Sequence, residues 1–226
     1  MKKLGGVVFD MDGVVIDSEI THYTAICEAM GEGATASFDQ FLEHCTGRDE
    51  VYAMTRMAEL SCMSFEDSDM AQWSVRKGKA YARLVGEQAT PIAGSIELVL
   101  SVARELQVGL ATGSRRHDVE AALAVLGGGT LRNIFSAIVT SSDVDTPKPH
   151  PKTYEKAISI MGLEPSAGWA IEDSPNGIRS ASAAGLRVLG VRGTNEESLL
   201  LAAGAERVVD DLRELSLITL QNWFRE

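Results

Sequence analysis

The chain has 226 residues, 45% hydrophobic and 23% charged, which is enough apolar material for a sizeable core and room for one or two domains. A formal net charge of -11 excludes a broad footprint for nucleic acid or an anionic membrane, because such a surface repels phosphates instead of displacing their counterions. Three cysteines, Cys27, Cys45 and Cys62, are too few to staple a chain of this size and are spaced unlike any zinc motif, so reduced thiols are expected.

In chain order, the first predicted strand is Gly5 to Asp10, a Val-Val-Phe run that stops at Asp10 and Asp12. Those two acids break the N-terminal apolar stretch, which therefore fails as a signal peptide, and no later run reaches membrane-spanning length. A soluble, cytoplasmic protein is expected, with a monomer as the default. Nearly a hundred residues then pass before the next strand. Within them Ser18 to Met30, Phe38 to His44, Asp49 to Leu60 and Asp67 to Val85 read as helices, broken at Gly31 to Gly33, at Gly47 and at Ser61 to Ser64.

An all-helical insert over residues 17–87 explains this interval, and residues 1–16 plus 88–226 form the remaining domain. The chain rejoins near Pro91 and enters a helix at Ser95 to Leu106. From there strands and helices alternate. The strands are Val108 to Thr112, Ala137 to Thr140, Gly168 to Glu172, Arg187 to Val191 and Arg207 to Val209. The helices are Arg116 to Leu126, Pro151 to Met161, Pro175 to Ala184 and Glu196 to Ala203. Gly162, Gly185 and Gly204 stand just past three of them, where helix C-termini favour glycine. Such alternation predicts an α/β fold, a Rossmann-like parallel sheet sandwiched by helices, with an inserted all-α domain.

Ligands of a parallel sheet bind beyond the carboxyl ends of its strands, so the residues that end each strand matter most. They are Asp10-Met11-Asp12-Gly13, Thr112-Gly113-Ser114, and Glu172-Asp173-Ser174, with Lys148 in the Pro-Lys-Pro-His-Pro stretch between them. Carboxylates crowded on one rim repel one another and raise each other's pKa unless a cation sits among them, and an oxygen-only donor set favours Mg2+. Asp10, Asp12, Glu172 and Asp173 are the expected metal ligands. One oxygen of Asp10 can bind the metal while the other attacks phosphorus, giving an aspartyl phosphate. Asp12, on the same side of an extended chain, can protonate the leaving group and then activate water. Thr112 and Lys148 supply a hydroxyl and a positive charge for the phosphoryl oxygens, with backbone N–H groups of Met11, Asp12, Gly13 and Gly113 completing the cradle.

Asp10-Met11-Asp12-Gly13-Val14, Thr112, Lys148 and Glu172-Asp173 together resemble the four motifs of the haloacid dehalogenase superfamily, over nearly the whole chain. The resemblance implies a first aspartate acting as nucleophile and a second acting as acid/base in phosphatases and phosphomutases. It also implies that the helical insert is a mobile cap over the site. His22, Arg48 and Lys77 in the insert resemble the β-phosphoglucomutase pattern, whose matching residues position the acid/base and grip a distal phosphate. With Gly113, Ser114 and Arg115 they are the expected substrate-binding residues. The expected activity is hydrolysis of a small phosphorylated metabolite, such as a sugar phosphate, by a magnesium-dependent phosphatase. The alternatives are a β-phosphoglucomutase or related sugar phosphomutase, and a catalytically silent phosphometabolite-binding protein. His44, His117 and His150 are read as surface residues, and Trp73, Trp169 and Trp223 as packing.

Overall fold

A computed structural model of the protein describes residues 3–193 and 195–226. Its centre is a parallel sheet of β1 (Gly6–Phe9), β4 (Gln107–Ala111), β5 (Ala137–Val139), β6 (Gly168–Glu172), β7 (Arg187–Val191) and β8 (Arg207–Val209). The strand order is β5-β4-β1-β6-β7-β8. The chain therefore builds outward from β1 on one side and returns to build outward on the other. The reversal beside β1 opens the crevice where such sheets bind ligands.

β1 is buried on both faces, as the centre of a parallel sheet requires. Period-2 alternation sends Val7 and Phe9 into one core and Val8 into the other. The first core is covered by α5 (Ser95–Ala103), α6 (Arg116–Val125) and α10 (Leu217–Arg225), through residues such as Val99, Leu123 and Leu220. The second is covered by α7 (Lys152–Met161), α8 (Pro175–Ala183) and α9 (Glu197–Ala203), through Tyr154, Ile178 and Leu200. Trp169 donates its indole N–H to the Leu220 carbonyl at 3.2 Å, which locks α10 to β6.

The helical insert comprises α1 (Glu19–Met30), α2 (Phe38–Cys45), α3 (Glu50–Leu60) and α4 (Asp67–Gln88). It has its own apolar cluster, centred on Ile26, Phe41, Met54, Met57 and Trp73. Full burial of side chains such as Met54 and Met57 stabilises by roughly 1.5–3 kcal/mol each, while Ala25, Ala80, Tyr81 and Val85 of α1 and α4 join the first core of the sheet. Two short strands, β2 (Ile16–Asp17) and β3 (Thr90–Pro91), pair antiparallel across the ends of the insert and fix where it leaves and rejoins the sheet. The expected boundary between residues 16 and 17 falls inside that ribbon.

The fold class is as expected, and the predicted strands and helices all have counterparts. Three features differ. The β2–β3 ribbon has only two residue pairs, too few for any periodic signal. Helix α4 runs about a turn further, to Gln88. Helix α10 was absent from the expectation, although Ser216 caps it and Leu217, Leu220 and Phe224 share one buried face. Cys27, Cys45 and Cys62 are free thiols. Among the described residues no helix is long and apolar enough to cross a membrane.

Candidate active site

The acidic rim is built by β1 and β6 ending side by side. The Asp10 amide continues the β1–β6 ladder by donating to the Ile171 carbonyl at 3.0 Å, so its side chain emerges where β6 delivers Glu172 and Asp173. Carboxylate oxygens of Asp10, Glu172 and Asp173 lie within 4.8 Å of one another, and all three residues are buried. Two glycines make the approach possible. A Cβ at Gly13, whose φ is +76°, would land on the Asp173 carboxylate, and one at Gly177 would land on Glu172.

Lys148 reaches the rim from the loop before α7. Its Nζ donates to Asp10 Oδ1 at 2.9 Å, Glu172 Oε1 at 2.6 Å and the Ala111 carbonyl at 2.9 Å. Glu172 is further held by the Tyr154 hydroxyl at 2.7 Å, while the Ser174 hydroxyl donates to its other oxygen at 3.2 Å. Ser174 also caps α8 by accepting from the Gly177 amide, with Pro175 in the first turn, so the helix start itself orients the Glu172 partners.

One ammonium thus faces three buried carboxylates. Burial, reinforced by Glu172 and opposed by Lys148, pushes the Asp10 carboxyl up to about 8. Burial and the charges of Asp10 and Glu172 push Asp173 well above the ordinary carboxylate range. Burial alone would depress Lys148, but Asp10 and Glu172 hold it above an ordinary lysine, so it remains an ammonium. Among the described residues no basic side chain forms an ion pair with Asp173. Carboxyls that hold their protons only for want of positive charge, and that present oxygen donors alone, fit a hard divalent cation such as magnesium.

Asp12 stands apart from that cluster. Its Oδ1 accepts from the Ser18 hydroxyl at 2.5 Å and meets His22 Nε2 at 3.0 Å. Its Oδ2 accepts from the Thr112 hydroxyl at 3.2 Å and the Ser114 hydroxyl at 2.6 Å. Burial would raise Asp12, but the neighbouring His22 and these donors outweigh it and hold the carboxyl well below its usual range. The expected metal ligand is here held by protein groups from two segments, the start of α1 and the end of β4. Thr112, expected to face phosphoryl oxygens, donates to Asp12 and accepts from the Ser114 amide at 3.0 Å.

A cavity joins this rim to the helical insert, and His22, Arg48, Lys77, Gly113, Ser114 and Arg115 all line it. Their surroundings differ. His22 stacks on Tyr81 with ring centroids 4.5 Å apart, beside Asp12. Arg48 is exposed and lays its guanidinium over the Tyr52 ring at 4.5 Å. Lys77 is buried, paired with Asp118 of α6 and lying 3.3 Å from Glu50 of α3. Arg115 Nε meets Glu50 Oε1 at 2.9 Å.

Sequence reasoning missed Ser18, Glu19, Glu50, Asp118 and Tyr154. Ser18 and His22 are four residues apart at the start of one helix, a spacing that places both over the same neighbour. Tyr154 carried no such signal, because its partner Glu172 is 18 residues away on another element.

The sequence matches the haloacid dehalogenase-like hydrolases over residues 7–191. Validoxylamine A 7'-phosphate phosphatase of Streptomyces hygroscopicus subsp. limoneus is 30% identical over 210 residues, 92% of this chain and 94% of that protein. Protein Suppressor of quenching 1, chloroplastic, of Arabidopsis thaliana is 29% identical over 95% of this chain, which spans 20% of that protein's length. The crystal structure of CbbY from Rhodobacter sphaeroides in complex with phosphate superposes with a TM-score of 0.87 at 26% identity, covering 97% of this chain and 99% of that one. A mutant of the same protein in complex with xylulose-(1,5)bisphosphate gives 0.86 at 26% identity, over 98% and 100% of the two chains. With the acidic rim, its lysine and the helical insert in one continuous match, the chain belongs to the haloacid dehalogenase-like hydrolase family.

Proposed function

We propose that the protein is a magnesium-dependent phosphatase of small phosphorylated metabolites, working through an aspartyl phosphate on Asp10. The observation that carries this reading is the buried cluster of Asp10, Glu172 and Asp173 around a single ammonium, Lys148. Asp10 and Asp173, with Glu172 behind them, would hold the ion. Bound there, magnesium supplies the positive charge that phosphoryl oxygens need in transfer. Lys148 supplies a second positive charge beside Asp10 and keeps Glu172 ionised and in place. Asp12 is the group that hands a proton to the departing alkoxide and takes one from water in the second step, and His22 at 3.0 Å helps to position it. Ser18, Thr112 and Ser114 orient that carboxylate.

In this reading residues 17–87 act as a cap that excludes water during transfer and opens for exchange. His22 on α1 reaches Asp12 at 3.0 Å, so closure and assembly of the acid/base pair are one event. A relative named validoxylamine A 7'-phosphate phosphatase and a CbbY mutant in complex with xylulose-(1,5)bisphosphate agree with a phosphorylated metabolite as substrate.

Turnover of p-nitrophenyl phosphate with magnesium tests the proposal, and a chelator is expected to abolish it. Because the ion competes with protons for Asp10, the magnesium concentration giving half the maximal rate should rise as pH falls below about 8. Undiminished release of nitrophenol in excess EDTA would rule the metal out.

A further inference from the structure

Most polar side chains that line the cavity already have partners in the chain. Asp12 is held by Ser18, His22, Thr112 and Ser114, and Glu50 by Ser74, Lys77 and Arg115. Asp49 accepts from the Tyr52 amide, and Asp118 pairs with Lys77. Outside the acidic rim, and among the described residues, three lining side chains make no hydrogen bond or ion pair within the protein: Glu19, Thr46 and Arg48. Arg48 is exposed on the Tyr52 ring, where solvent serves it. The other two are drawn back, since Glu19 is half-buried and the Thr46 hydroxyl oxygen is buried. Polar groups withdrawn from water and left unpaired are costly, so at a cavity wall they call for a partner from outside the chain.

Their placement indicates what that partner is. Glu19, His22 and Ile26 recur at three and four residues along α1 and all line the cavity, so they share one face of the helix. From that face His22 reaches Asp12 at 3.0 Å. Glu19 therefore stands beside the acid/base group. Burial pushes its carboxyl up to about 7, with His22 opposing the rise and Asp12 adding to it. On the other side its charge is felt by Cys45, the neighbour of Thr46 at the end of α2. Ile26, Phe41 and Cys45, all buried, complete this wall with apolar surface that suits a carbon skeleton. A hydroxyl both donates and accepts, so a single one serves Glu19 and Thr46 together without bringing a charge against the apolar wall.

We propose that Glu19 and Thr46 are specificity-determining residues that hydrogen-bond a hydroxyl on the alcohol part of the substrate, close to its ester oxygen. The inference rests on the phosphatase reading, in which Asp12 hands a proton to that oxygen, and adds to it the residues that select the alcohol. A phosphate of a plain alkyl chain fills the cavity but leaves both groups unpaired, and is disfavoured for that reason.

The test compares kcat/KM for glycerol 1-phosphate and n-propyl phosphate in the magnesium-loaded enzyme, two substrates of similar size that differ in their hydroxyls. Glycerol 1-phosphate is expected to be favoured by about 10-fold or more, the scale of leaving a buried polar group unpaired. Glu19→Leu should narrow that ratio at least about 5-fold by lowering the glycerol 1-phosphate value, and Thr46→Val should narrow it by a smaller factor. Glu19→Gln, which keeps an acceptor oxygen, should retain more of the ratio than Glu19→Leu. A purely structural role for Glu19 would scale both substrates alike and leave the ratio unmoved. Equal wild-type values overturn the proposal, as does an unchanged ratio in Glu19→Leu, or an enzyme that hydrolyses p-nitrophenyl phosphate and neither alkyl phosphate. If p-nitrophenyl phosphate is not hydrolysed either, the phosphatase reading itself fails.

Discussion

Replacing Asp10 with Asn is expected to lower phosphatase turnover by roughly three orders of magnitude or more while leaving the fold intact, as loss of a covalent nucleophile does elsewhere. The amide is close in shape to the carboxylate but cannot form the acyl phosphate. The variant should also report on the electrostatics of the rim. Asp10 is buried and its carboxyl holds its proton to about pH 8, whereas in the unfolded chain it loses it near pH 4. Between those values the native state binds more protons than the unfolded state, so the metal-free wild type loses stability as pH rises. An amide does not titrate, so this contribution to the loss disappears in Asp10→Asn. Melting curves of both proteins without metal at pH 5 and pH 8 should show the wild type falling further. Magnesium should then restore the wild type more than the variant at pH 8. A variant that keeps wild-type turnover would remove Asp10 from the reaction.

Lys148→Met is expected to damage stability and rate together. The lysine is the cation that both Asp10 and Glu172 share, at 2.9 and 2.6 Å. Removing it leaves two carboxylates facing each other in a dry site, and breaking a buried pair in this way costs about 3–5 kcal/mol. Part of that cost returns as the carboxylates take up protons. Loss of a preorganised positive group at the phosphoryl oxygens should lower kcat by roughly 10²–10³-fold. Urea unfolding, with and without magnesium, and steady-state rates measure the two effects. Magnesium should recover some stability, because it replaces the missing positive charge, but not the rate. A variant as stable as the wild type would mean that Asp10 and Glu172 do not depend on the lysine.

The sheet and the order of its strand-end residues were readable because they are local. A β-branched run, a stop at Asp10 or Glu172-Asp173, and a glycine where the chain turns are each encoded within a few residues. The parallel sheet then carries those separate stops to one rim, which places Asp10 beside Glu172 and Asp173. What surrounds Asp12 was not readable in the same way. Ser114, which donates to it, is 102 residues away, and nothing near Asp12 marks that partner. Lys77 makes the same point. Its resemblance to the β-phosphoglucomutase pattern suggested a substrate contact, yet its partner Asp118 lies 41 residues on, in a helix that packs against α4 only once the insert folds back on the sheet. Glu50 and Arg115 meet for the same reason. Helix α10 is the opposite case, since its Ser216 cap and the spacing of Leu217, Leu220 and Phe224 are local signals in the sequence.

In the proposed reaction Asp10 accepts phosphorus as a covalent intermediate. Acid-quenching the enzyme during turnover of p-nitrophenyl phosphate with magnesium, reducing with borohydride and sequencing the peptides by mass spectrometry tests it directly, since borohydride converts an acyl phosphate to an alcohol. Homoserine is expected at position 10, with unmodified aspartate at Asp12 and Asp173. Reduction at another residue, or no reduction in an enzyme shown to be turning over, would contradict it.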